Sequence, residues 1–185
     1  SNRSLVKEDQ DLLAIRMFLA GVYVLEGKYD LAEEGFKEIL SINRGASGPE
    51  ATTTLLTTTL LGWTRLHQQK YVEVEMDLRE VLPVLEKMQP EEWERYNCQS
   101  ILGASLAGQK RYAEAETLLL SAYEGMISRQ STVSRAYPLR PKLHEEGVER
   151  IVQLYQDWGK PEKAAEWREK LRAAAERAVF EPLRK

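Results

Sequence analysis

Three short segments, Gly27-Lys28-Tyr29, Gln69-Lys70-Tyr71 and Lys110-Arg111-Tyr112, recur at nearly equal intervals, 42 residues from Tyr29 to Tyr71 and 41 from Tyr71 to Tyr112. Such a period constrains the fold more than any other feature, because each unit must then be one supersecondary element that buries its apolar face against its neighbours. Steps of three, seven and ten residues beyond each tyrosine reach Ala32, Phe36 and Ile39, then Val74, Leu78 and Val81, then Ala115, Leu119 and Ala122. Those offsets trace one face of an α-helix. Counting back nine and ten residues finds Ala20 with Leu19, Gly62 with Leu61, and Gly103 with Leu102. Each pair lies on a preceding helix, where a small residue lets an antiparallel partner approach closely.

A fourth unit follows Gly159-Lys160-Pro161, with Ala164 and Leu171 at the same offsets. The fold expected is all-α, a superhelical solenoid of antiparallel helix pairs in about four units. The pairs are predicted over 8–43, 49–88, 91–127 and 143–178 within a single domain, 1–185. The surplus before the fourth unit, 128–142, is rich in arginine and proline and reads as a basic inter-repeat loop. Pro49 and Pro90 mark helix starts, where no amide donor is needed. Pro83 predicts a kink or an early stop near Leu82, because it removes a hydrogen bond from the interior of the second helix of unit two.

With 43% hydrophobic and 30% charged residues the chain has enough apolar side chain for a core. A net charge of −3 and a pI near 5.6 provide no basic field for phosphate backbones, so no nucleic-acid partner is expected. No apolar run approaches the roughly 18 residues of a membrane span, and no membrane association is expected. Cys98 is the only cysteine, which rules out an internal disulfide and points to the cytoplasm. Ser1-Asn2 reads as a tag-cleavage remnant, so a fragment of a longer polypeptide is expected.

At this point the residues resemble the tetratricopeptide repeats, in particular the long subtype of about 42 residues found in kinesin light chains and many bacterial proteins. Gly48-Pro49-Glu50 leading through Leu61-Gly62 to Gln69-Lys70-Tyr71 carries the likeness best. Units three and four resemble the C-terminal repeats of large bacterial proteins, several of which carry a serine/threonine kinase domain. No kinase motif is present in this chain. The resemblance implies a non-catalytic scaffold that binds a protein or peptide in its concave groove. The alternative it implies is a C-terminal regulatory or sensory region of a larger bacterial enzyme such as a serine/threonine kinase. The asparagine pair with which that subtype holds a peptide backbone is replaced by Thr59 and Leu60 in unit two and by Ser100 and Ile101 in unit three.

One face of the inner helices supplies a candidate partner-binding groove: Met17, Thr59, Trp63, Leu66, Asn97, Ser100, Glu149 and Gln153. Trp63 either anchors a bound segment or packs between units. No catalytic, cofactor-binding or metal-ligating set is expected. His67, His144 and Cys98 fall in different units without ligand spacing, and both histidines read as surface residues. The acid pairs Glu33-Glu34, Glu73 with Glu75, and Glu145-Glu146 read as solvated helix faces. The threonines between Thr52 and Thr59 could offer hydroxyls to a partner, and Pro138-Leu139-Arg140-Pro141 matches a minimal extended proline motif but reads mainly as a linker. Leu12, Leu13 and Ile15 predict self-association through the N-terminal repeat.

Overall fold

Four turns of one design organise the molecule. Gly27, Gln69, Lys110 and Gly159 all sit at φ between 59° and 73°, each two positions ahead of the tyrosine or proline that opens the next helix. The residue after each closes a bond back over the turn: Lys28 N to Tyr23 O, Lys70 N to Arg65 O, Arg111 N to Leu106 O and Lys160 N to Tyr155 O, at 2.8–3.0 Å. This is the left-handed helix ending that satisfies the last carbonyls and reverses the chain. Gln69 and Lys110 adopt it without being glycine, which costs about 1 kcal/mol each and shows that packing dictates the turn.

The computed structural model describes residues 2–128 and 140–180. These form α1 (Asn2–Leu25), α2 (Tyr29–Ser47), α3 (Thr52–His67), α4 (Tyr71–Met88), α5 (Trp93–Gly108), α6 (Tyr112–Ser128), α7 (Arg140–Asp157) and α8 (Pro161–Phe180). Each helix packs on the next, and α3, α5 and α7 also pack side by side as an inner row. The rows at three, seven and ten residues beyond the tyrosines are all buried. Gly103 sits where an added Cβ would lie 2.9 Å from Leu119 Cγ, so it is the small contact that lets α5 and α6 close. Among the described residues no helix is long and apolar enough to cross a membrane.

Several local expectations are corrected. Helix α4 does not stop at Leu82 but continues through Pro83 to Met88. Pro83 is exposed, so water can reach the carbonyl it leaves unpaired, while Val81, Leu82 and Leu85 are buried on the opposite side. Burying such side chains is worth about 1.5–3 kcal/mol each, enough to offset a proline. Helix α2 runs on to Ser47 because Asn43, buried, donates to Thr57 Oγ1 at 3.1 Å and ties the last turn to α3. Gly48 then turns the chain at φ 88°, and α3 and α5 begin at Thr52 and Trp93, after their prolines rather than at them. Pro90 lies inside the turn closed by Glu92 N to Gln89 O. Arg140 and Pro141 open α7, three positions before its expected start, in a first turn where proline is tolerated. The extended proline motif therefore does not persist there. The rest of the predicted loop, 129–139, lies outside the described residues, as does the side chain of His144.

Candidate functional site

The expected groove residues do not form one open surface. Thr59, Trp63, Asn97 and Ser100 are buried, Met17 and Leu66 are half-buried against the core, and Glu149 and Gln153 are exposed. The physical reason is α7, which lies across the inner faces of α3 and α5. Its Glu146 accepts a hydrogen bond from Trp63 Nε1 at 2.6 Å, and Arg150 Nη1 donates to Ser100 Oγ at 3.1 Å. Trp63, with no accessible surface, cannot serve as an anchor for a ligand and packs between units instead.

A polar cluster is thereby sealed into the concave side. His67 stacks on Tyr29 with ring centroids 4.8 Å apart and meets Trp63 edge-on; its Nε2 lies 3.2 Å from Glu146 Oε2. It is not the free surface residue expected from its place before a turn. Burial would raise the Glu146 carboxyl, but His67, Trp63 and Arg150 outweigh it and hold the group below its ordinary value. Burial pulls the Arg150 guanidinium down to about 10 despite Glu146 and Glu149 nearby. Cys98, also buried, has its thiol pushed up to about 12 by desolvation, which suppresses the reactive thiolate.

The threonines of α3 are spent within the fold. Thr57, Thr58, Thr59 and Thr64 each donate to the carbonyl four residues earlier at 2.7–2.9 Å, and Thr54 donates to Gly48 O. Such back-bonding satisfies a hydroxyl on a buried helix, so these groups are not held out for a partner.

What remains open on this side is a cleft of about 430 Å³ at the N-terminal ends of α3 and α5. Leu56, Thr59, Leu85, Trp93, Asn97 and Leu143 line it, with Gln89, Glu92 and Glu94 also around it. Its wall holds one unusual atom. Asn97 Oδ1 is buried and has no hydrogen-bond partner among the described residues, a state that costs about 1–3 kcal/mol unless something fills it. Thr59 and Asn97 are the two expected groove residues that reach this cleft.

Residues 11–87 match the family model described as tetratricopeptide repeat, a span from within α1 through α2 and α3 to nearly the end of α4. The first two helix pairs are tetratricopeptide repeats. Among solved structures, the nearly identical TPR-like repeats assigned to a kinesin light chain of Podosopora anserina superpose with a TM-score of 0.65 at 20% identity, over 90% of this chain and 75% of that one. BtubC (BKLC) from P. vanneervenii gives 0.62 at 18% identity, over 89% of this chain and 65% of that one. Likeness at these identities concerns the fold, an all-α array of repeats. No curated protein sequence matches this one.

Successive helix pairs are joined by a ladder that reading the acids as solvated faces had missed. Glu33, four positions beyond Tyr29, is buried and binds Lys70 at 2.6 Å, Lys37 at 2.8 Å and Arg65 at 3.1 Å. Glu75, four beyond Tyr71, binds Arg111 at 2.5 Å and Arg79 at 2.8 Å and accepts from Gln109 at 2.7 Å. Glu116, four beyond Tyr112, accepts from Tyr155 at 2.7 Å and from Lys163 at 3.1 Å. Burial would raise both Glu33 and Glu75, yet their cationic and amide donors outweigh it and bring each to about 2. The signal lay in register: the acid four after each tyrosine meets, in the first two rungs, the base just before the next one.

Proposed function

We propose that this chain is a non-catalytic protein-interaction module that holds an extended peptide segment of a protein partner in the cleft between α3, α4, α5 and α7. The observation that carries this reading is the open cleft of about 430 Å³ itself, walled largely by the apolar side chains Leu56, Leu85, Trp93 and Leu143. One apolar side chain of an extended segment fills the space beside Leu56 and Leu85 while its backbone stays at the mouth of the cleft. Glu92 and Glu94 at the cleft favour a basic neighbour on that segment. In this reading the four helix pairs act as a single domain. Of the residues first expected to bind, Thr59 and Asn97 line the cleft. The setting we take for the protein is the cytoplasm, where one reduced cysteine is ordinary.

A displayed library of random extended peptides tests the reading. Selection is expected to converge on an apolar residue flanked by lysine or arginine. Leu56→Arg, which fills the cleft with a charged chain, should abolish binding of the selected peptides, and Glu92→Lys should weaken it by setting a like charge against their basic residue. Selected peptides that bind both folded variants as tightly as the parent would place the binding surface elsewhere.

A further inference from the structure

The repeat register shows what α1 is built to meet. Counted back from the turn tyrosines, Ile15, Phe18 and Leu19 of α1 occupy the positions of Thr57, Leu60 and Leu61 in α3 and of Cys98, Ile101 and Leu102 in α5. All six residues of α3 and α5 are buried. Much of that cover comes from the helix pair in front: α2 touches α3 through Asn43 on Thr57 and through Tyr29 stacked on His67. In α1, by contrast, Ile15 is 63% exposed, Phe18 58% and Leu19 46%, with Leu12 and Leu25 exposed at either end of the row. Leu13, by contrast, turns inward and packs against the core. Helix α1 thus carries the interface face of an internal repeat, and among the described residues nothing covers it.

The far end of the array cannot supply the cover. Where α2, α4 and α6 present a glutamate four residues, and Phe36, Leu78 and Leu119 seven residues, beyond their first residue, α8 presents exposed Ala165 and Arg168. That is a polar cap, so head-to-tail stacking of copies would set an arginine against apolar side chains. A covalently linked pair stacked in line would need a turn at Gln10, the register position at which α3 and α5 begin, and α1 is helical straight through it.

The row itself is symmetric. Read forwards it runs Leu12, Ile15, Phe18, and read backwards it runs Leu25, Val22, Leu19 at the same spacing. Two such helices laid antiparallel about a two-fold axis place each residue of one set against its counterpart in the other, the self-complementary arrangement of an isologous interface. We propose that α1 pairs antiparallel with α1 of a second copy of this chain, with the axis between Phe18 and Leu19. This dimer lies away from the cleft proposed to bind peptide and is independent of it. Asp11 and Glu26 come together at the two ends of the seam, Glu26 already holding Lys28 at 2.8 Å, so screening by salt tightens the pair.

Light scattering on the full chain from micromolar to submillimolar concentration is expected to show the mass rise twofold, with the midpoint moving to lower concentration as salt is added. Phe18→Glu should remain a folded monomer throughout. In a Cys98→Ser background, Phe18→Cys is expected to form an interchain disulfide on oxidation, whereas Leu12→Cys alone should not. Leu12→Cys mixed with Leu25→Cys should cross-link. A monomer at every concentration would overturn the proposal, as would a dimer that survives Phe18→Glu, a dimer that loosens in salt, or cross-linking of Leu12→Cys with itself. The cross-linking results stand even if the glutamate variant fails to fold.

Discussion

Trp63 Nε1 donates to Glu146 Oε2 at 2.6 Å, joining residues 83 positions apart in the chain. The same carboxylate approaches His67 and Arg150, so a single acid on α7 holds together the concave side of the array. Its removal should be felt well beyond its own helix. Glu146→Gln keeps the shape but strips the charge, leaving the buried Arg150 guanidinium without its main counter-ion. The expected loss is about 3 kcal/mol of unfolding free energy, in line with breaking one side of a buried pair, accompanied by a shift in tryptophan emission. Urea titration reads it directly, and a loss below about 0.5 kcal/mol would show that the cluster is not an anchor.

Close backbone approach gives a second test. A Cβ added at Gly125 would lie 2.0 Å from Cδ1 of the Tyr96 ring, and that ring is buried. Gly125→Ala normally gains up to about 1 kcal/mol of helix propensity, but the overlap should reverse the sign and cost about 1–3 kcal/mol. Thermal unfolding of the variant is the measurement. Raised stability would mean that α5 and α6 can separate freely.

The ladder makes stability depend on acid. Glu33 sits at about 2 in the folded protein, below its ordinary 4.5, so its contribution is fully present above about 4.5 and disappears as the pH falls through 4.5 toward 2. Glu33→Gln should therefore cost on the order of 2 kcal/mol at pH 7 and almost nothing near pH 2. Paired denaturation curves across that window decide the matter. A difference that stays constant with pH would assign the effect to packing.

Two neighbouring threonines should behave differently. Thr58 donates only to its own helix, at Thr54 O, whereas Thr57 also accepts from the buried amide of Asn43. Thr58→Val should change stability by less than about 0.5 kcal/mol, and Thr57→Val should lose about 1–2 kcal/mol because it leaves Asn43 Nδ2 with only the longer contact to Thr53 O. Calorimetry of the pair separates the two cases. Equal losses would count against the cross-helix bond.

Much of this architecture was legible from spacing. The tyrosine period located each turn, and the offsets of three, seven and ten picked out Phe36, Leu78 and Leu119 as core. Gly62 and Gly103 were readable for the same reason, since a small residue at a fixed place in a repeat signals contact. The glutamates at 33, 75 and 116 were equally periodic, but Glu33 and Glu75, taken with the acids beside them, looked like ordinary solvated faces, and Glu116 was not singled out. Their alignment beneath one another is what reveals a partner in the next unit.

The candidate groove was less legible, because a period describes what each unit does for its neighbour and says nothing about a unit two positions away. Local rules governed the chain wherever the deciding contact lies within a repeat or between successive ones: helix against helix, turn against turn, acid against the following base. Trp63 escaped those rules. Whether it faced a ligand or a core depended on how far α7 swings across α3, and that angle is the sum of several interhelical packings, none of which is encoded at Trp63. Superhelical curvature accumulates along the array, so the surface left open, the cleft beside Asn97, could be found only after every pair had been stacked.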